Sequence, residues 1–231
     1  MDNPCGADLI YFHVTKAAGT SIENALHNYF GENRVLLNVT KDDYLATPPC
    51  DIRKYKALAG HISHDLALPY ITNKTILITV LREPRNRIRS LYNYFRSLNG
   101  SYPVVLLAKK YEFFEWINCK ESVVLDQIQN SAIRQFTPGS YWNIHNAANP
   151  DLILEYALKF IKSFNLIGTV ENLEDFSIQL HKTTGIKFDC SSKLNRSNQD
   201  FTSNVSDAYL DEWLMKMSSL DLAFYNRVKE L

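Results

Sequence analysis

The sequence predicts an α/β fold: a P-loop-like central parallel sheet of about five strands, flanked by helices. Three observations predict it. Short apolar, β-branched runs alternate with helical patterns, the order that builds a mostly parallel sheet. The first run, Leu9-Ile10-Tyr11-Phe12-His13-Val14, passes through the tight turn Thr15-Lys16-Ala17-Ala18 straight into a helix start at Gly19-Thr20-Ser21. A later run, Lys74 to Leu81, ends at Arg82-Glu83-Pro84, where Pro84 suits the first position of a helix.

Taken in order, the strands are predicted at 9–14, 34–39, 55–59, 75–81 and 165–170. Helices are predicted at 20–30, 84–98, 109–118, 123–136, 151–164 and 173–184, with a final pair within 206–229. The stretches 97–104 and 138–150 are rich in Gly, Ser, Asn and Pro and read as surface loops. No repeat, low-complexity segment or linker interrupts the chain, so residues 1–231 are expected to form one domain, large enough for a sheet covered on both faces.

The Lys16 turn has the make-up of a phosphate cradle. Backbone N–H groups of such a turn converge on an anion, and the first turn of the following helix adds its unpaired donors and the positive end of its dipole. A nucleoside triphosphatase or nucleoside kinase loop would read G-x-x-x-x-G-K-[ST], and no such string occurs in the sequence. Arg82 stands at the carboxyl end of a predicted strand and Ser90 almost two helical turns into the next element, so both can face one anion. Ligands of open parallel sheets collect at those strand ends. Two anion sites there suggest a ligand with two separated phosphate groups. Read without that context, Lys16 is a surface lysine in a turn and Arg82 a partner in a helix-adjacent salt bridge.

Composition bounds the partners. Lys plus Arg and Asp plus Glu both number 25, so the formal charge is zero, which argues against a dedicated nucleic-acid or polyanion binder. No signal-peptide pattern and no apolar run of membrane-spanning length is seen, so a cytoplasmic protein without membrane or nucleic-acid partners is expected. Cys5, Cys50, Cys119 and Cys190 are scattered, without metal-finger spacing, and read as reduced thiols; no metal site is expected. The sequence says nothing of oligomeric state.

With these residues in view a resemblance can be named. Phe12-His13-Val14-Thr15-Lys16-Ala17-Ala18-Gly19-Thr20-Ser21 resembles the 5′-phosphosulfate loop of sulfotransferases, and Val80-Leu81-Arg82-Glu83-Pro84 with Ser90 resembles their 3′-phosphate motif. The variant is that of the heparan sulfate 2-O-sulfotransferase-like group. Gly60-His61-Ile62-Ser63, the segment from Ile167 to Phe176, and Leu194-Asn195-Arg196-Ser197 agree with the same group, in the same order. The chain departs from the pattern at Thr15, where the group has proline, and at Ala17, where it has threonine or serine. Losing that hydroxyl removes one phosphate contact and leaves the backbone donors.

The resemblance implies transfer of a sulfuryl group from 3′-phosphoadenosine 5′-phosphosulfate to a hydroxyl or amine, with 3′,5′-adenosine bisphosphate as product and no metal. Ala17, Ala18, Gly19, Thr20 and Ser21 would hold the 5′-phosphate, while Lys16 would neutralise charge on the bridging oxygen. Arg82 and Ser90 would bind the 3′-phosphate, with Arg196 and Ser197 folding over the cofactor. His61 would be the general base, with His64 and Glu83 as alternatives. His64, Asn130 and Arg134 would line the acceptor side, although helix capping and surface pairing explain Asn130 and Arg134 almost as well. His13, His27, His145 and His181 read as structural, Arg85, Arg87, Arg89 and Arg96 as a solvated face, and Tyr92, Tyr94 and Phe95 as packing residues. A small molecule or short saccharide is the leading acceptor; a polysaccharide acceptor and a nucleotide-binding module without turnover are the alternatives.

Overall fold

β1 (Leu9–His13) lies at the centre of a sheet of five parallel strands, with β2 (Val35–Leu36) and β3 (Ala57–Gly60) to one side and β4 (Ile76–Leu81) and β5 (Leu166–Thr169) to the other. The structure is a computed structural model, and it describes residues 7–37, 54–146, 148–190 and 200–231. The predicted α/β class and the five parallel strands flanked by helices are as the sequence reads. The chain places strands on one side of β1 and then on the other, which puts a topological switch point at the carboxyl end of β1. Register makes this concrete: Phe12 pairs with Gly60, and His13 with Val80. The turn after β1 and the residue after β3 therefore leave the sheet side by side.

The helices follow in chain order as α1 (Gly19–Phe30), α2 (His64–Ala67), α3 (Pro84–Ser97), α4 (Pro103–Lys110), α5 (Phe113–Asn118) and α6 (Ser122–Ile128). They continue as α7 (Ser131–Arg134), α8 (Gly139–His145), α9 (Pro150–Ile161), α10 (Leu173–Thr184), α11 (Asp207–Met217) and α12 (Ser219–Val228). The chain divides into two compact units: Met1–Leu81 with Ala132–Leu194, and Arg82–Ser131 with Asn195–Leu231.

The first unit carries the whole sheet. Strands β1, β3 and β4 are nearly continuous apolar runs because they are buried on both faces. Phe12 anchors an aromatic cluster, its ring centroid 5.0 Å from that of Phe164, 5.7 Å from Phe160 and 5.8 Å from Phe136. The second unit is helical and has its own core, in which Ile88, Leu91 and Tyr92 of α3 meet Trp116 of α5, Ile128 of α6 and Leu214 of α11.

Several predicted boundaries are corrected, each for a local reason. The stretch 97–104 is not all loop: Pro103 opens α4, pre-set for a first helical position. The helix predicted at 109–118 is two helices, because Glu112 and Glu115 form a reciprocal capping box that starts α5. The helix predicted at 123–136 breaks where Asn130 takes a φ of 48°, a conformation a helix cannot contain. The stretch 138–150 contains α8, whose first amide, Gly139 N–H, donates to Asp65 Oδ2 at 2.8 Å. The strand predicted at 34–39 is described only as Val35–Leu36, and its last two positions lie outside the described residues.

Candidate functional site

The turn after β1 is held in a strained shape. Ala17 N–H donates to the Val14 carbonyl at 3.0 Å, and Lys16 and Ala18, neither a glycine, have φ of 66° and 62°. Left-handed conformations in non-glycine residues cost about 1–3 kcal/mol each and persist where surrounding structure demands them. Here α1 and the sheet demand it: Ala17 is buried, and the Tyr11 hydroxyl donates to its carbonyl at 3.4 Å. Alternating handedness turns successive N–H groups inward as an anion-binding concavity. α1 then starts at Ala18 and Gly19 with no side-chain cap on its first turn, which suits a bound anion in that place. Gly19 is required by close packing, since a Cβ there would lie 1.7 Å from Nε2 of His13.

His61 reaches the same place from β3. Gly60 has a φ of 148°, open to glycine and not to other residues, and this sends His61 back toward the turn. His61 Nδ1 lies 2.8 Å from the His13 carbonyl oxygen. A carbonyl only accepts, so Nδ1 carries the proton and the neutral ring keeps its basic lone pair on Nε2. The Thr15 hydroxyl is a longer neighbour of the same Nδ1, at 3.4 Å. His61 presents an exposed edge, yet partial desolvation of its ring lowers its pKa, the neighbouring His13 lowers it further, and the hydrogen bond to the His13 carbonyl and the charge of Glu23 act in opposition.

His13 itself is not an isolated structural histidine. Its ring stacks on Tyr11 at 5.7 Å, meets the His61 ring at 4.6 Å, and donates from Nδ1 to Glu23 Oε1 at 2.9 Å. Gln135 Nε2 also donates to the His13 carbonyl, at 3.3 Å. Glu23 and Gln135 were missed in the sequence. For Glu23 a signal exists: Gly19, Ile22, Glu23 and Leu26 form the apolar stripe of α1, so a carboxylate on it must have a buried partner. Gln135 carries no such signal.

The remaining predicted residues divide sharply. His64 is buried with both ring nitrogens engaged, Nδ1 with Asp65 at 3.1 Å and Nε2 with the Tyr156 hydroxyl at 3.1 Å, so it is corrected from a candidate base to a packed anchor. Glu83, the other alternative base, is the N-cap of α3: its carboxylate accepts from Arg85 N–H and Asn86 N–H and pairs with the Arg85 side chain at 3.1 Å. Asn130 is likewise committed to structure, its side-chain oxygen accepting from Leu220 N–H at 3.0 Å and Asp221 N–H at 3.2 Å at the start of α12. Arg134 lies over the Trp142 ring at 4.9 Å. Arg82 directly follows Leu81, the last residue of β4, and Ser90 sits on α3; both are half-buried.

The arginines read as a solvated face are corrected too. Arg87 is buried against Asp221 at 2.9 Å, and Arg89 donates to the Thr202 and Val205 carbonyls, each at 2.6 Å. Arg96 donates to the Tyr92 hydroxyl at 2.6 Å. Arg196 and Ser197 lie outside the described residues, as do Cys5 and Cys50; Cys119 and Cys190 are free thiols. Among the described residues no cluster of metal-ligating side chains occurs, and no helix is long and apolar enough to cross a membrane.

No protein-family model matches the chain. It is similar in sequence to heparan sulfate 2-O-sulfotransferase 1 of Mus musculus, 28% identical over 198 residues covering 74% of this chain and 53% of that protein. The protein of the same name from Gallus gallus is 26% identical over 206 residues, covering 78% of this chain and 55% of its own. The chain thus spans about half the length of the curated relatives it matches. Among solved structures, mouse sulfotransferase SULT7A1 complexed with PAP overlaps 94% of this chain and 65% of its own at 14% identity, with a TM-score of 0.40.

Proposed function

We propose that this relative of the heparan sulfate 2-O-sulfotransferases moves the sulfuryl group of 3′-phosphoadenosine 5′-phosphosulfate to a hydroxyl of a small-molecule or short saccharide acceptor. The observation that carries the reading is the hydrogen bond from His61 Nδ1–H to the His13 carbonyl, which leaves a basic Nε2 next to the Lys16 turn. The strained turn and uncapped α1 suit the donor's 5′-phosphate, and Gly19 supplies a floor that no larger residue could make.

In the proposed step the acceptor oxygen bonds to sulfur as its proton passes to His61 Nε2. The bond from sulfur to the bridging oxygen breaks, and 3′,5′-adenosine bisphosphate departs with the electron pair. Lys16 offsets the charge that builds on that oxygen, the kind of stabilisation realised most in the transition state. Arg82 and Ser90 are proposed for the 3′-phosphate on the strength of the motif and of Arg82 following β4 directly. The 231 residues are proposed to act as one catalytic domain, in the cytoplasm and without a metal.

Two measurements test this reading. 3′,5′-Adenosine bisphosphate should raise the melting temperature and ATP should do so poorly, because a ligand that binds the folded state stabilises it by an amount that grows with the logarithm of its affinity. Arg82→Ala should erase most of that preference; an undiminished preference would remove Arg82 from the site. A screen of acceptors with radiolabelled sulfate donor then identifies the substrate. A polysaccharide acceptor is the second reading, favoured by the name of the sequence relatives, and it predicts labelling of heparan chains over small alcohols. Tight bisphosphate binding with no transfer to any acceptor would leave only the nucleotide-binding module.

A further inference from the structure

We propose that Gln135 is the positioning residue of the candidate base: its side chain and main chain together fix two supports of His61, the His13 carbonyl and the first amide of α2. The proposal rests on the reading of His61 as the base. On one side, Gln135 Nε2 donates to the His13 carbonyl at 3.3 Å, the same oxygen that takes His61 Nδ1–H at 2.8 Å. A carbonyl oxygen has two lone pairs, so it accepts from both without displacing either. On the other side, the Gln135 carbonyl accepts His64 N–H at 2.8 Å. Ile62 and Ser63 are all that separates His61 from that amide along the chain.

Packing holds Gln135 in register with β1. The next residue, Phe136, is buried and stacks on Phe12, the residue before His13, with ring centroids 5.8 Å apart and planes 19° apart. Main-chain bonds close the turn after α7, Gln135 N–H donating to the Ala132 carbonyl at 3.2 Å and Phe136 N–H to the Ile133 carbonyl at 3.0 Å. α2 is anchored on its own account by the buried Ile62 and by the His64 ring, engaged with Asp65 and Tyr156. His61 itself presents an exposed edge, and without ties at Nδ1 its ring has other staggered orientations open to it. A base works only from a narrow geometry, and a misplacement of about 1 Å can cost ~10²-fold in rate. The bond on Nδ1 also selects Nε2 as the basic nitrogen. His13, His61, His64 and Gln135 all belong to the compact unit that carries the sheet.

Gln135→Met tests the side-chain arm, because it keeps the length and the main-chain carbonyl and removes the donor. Nitrogen-15 NMR of the full chain with labelled histidine, at about pH 8 and so above the ordinary histidine value of roughly 6.5, reads the tautomer of each ring. In the parent, His61 should show a protonated Nδ1 and a bare Nε2. In Gln135→Met those two signals should move toward each other, as a loosened ring exchanges between its tautomers, while the His64 signals stay in place. An unchanged His61 pattern with native-like spectra overturns the proposal, and so does an equal change at His64, the mark of general loosening. Should Gln135→Met fail to fold, Gln135→Glu puts a carboxylate of the same length where the donor was, with the same expected and overturning results. For any acceptor that the parent sulfates, kcat should fall ~10-fold or more with the KM for the donor within about twofold of the parent, and a change in KM alone overturns the proposal. The NMR measurement needs neither donor nor acceptor, so its failure is separable from failure of the sulfotransferase reading.

Discussion

His61 is tied by one nitrogen and open at the other, and that asymmetry makes a specific kinetic prediction. His61→Ala should lower turnover by ~10²- to 10⁴-fold, the usual cost of removing a general base, while bisphosphate binding stays near that of the parent. Lys16→Ala should impair both, since it is proposed to touch the phosphosulfate in the ground state as well as in the transition state. A His61→Ala rate within a few-fold of the parent would sink the assignment. The pH profile carries a second check. With its pKa lowered, His61 stays deprotonated below the ordinary value of 6.5, so the acid limb of kcat/KM should fall at a pH under that value. The same shift makes stability fall as pH drops through the unfolded value, because the unfolded chain then binds the proton more readily than the folded one. The family motif was readable in Gly60-His61; which nitrogen is basic was not, because it depends on the register of β1 against β3.

At the scale of elements, α3 shows why local patterns mislead. Its start was legible, with Pro84 at the first position and an acidic residue before it. Its charged face was not: Arg87 pairs with Asp221 on α12, 134 positions away, and both side chains are almost wholly buried, at 2% and 1% exposure. Removing one member of such a pair leaves an uncompensated buried charge. Asp221→Ala should therefore cost ~3–5 kcal/mol, read as a lowered urea midpoint at unchanged slope. A loss under about 1 kcal/mol would mean that water reaches Arg87, as for an exposed pair. Asn130 tells the same story, since the break between α6 and α7 exists to place a side-chain oxygen on amides 90 and 91 positions downstream.

For the whole molecule, each compact unit is assembled from two separated stretches, and the chain passes between them at 81/82, 131/132 and 194/195. Neither unit is a contiguous segment that could be cut free, so calorimetry should show one unfolding transition, and two resolved transitions would overturn the one-domain proposal. What the sequence determined by itself was the order of the five strands and the strand, turn and helix around Lys16, because apolar periodicity, a turn and a helix start are set by residues within a few positions of one another. Tertiary structure alone decided which polar groups are spoken for. His64, Glu83 and Asn130 are committed to structure, Glu23 and Arg87 are buried with partners, and His61 is turned so that Nε2 remains available. The reason is physical: an imidazole, a carboxylate or a guanidinium looks the same in sequence whether water or a distant residue satisfies it, and only the fold brings that residue within hydrogen-bond reach.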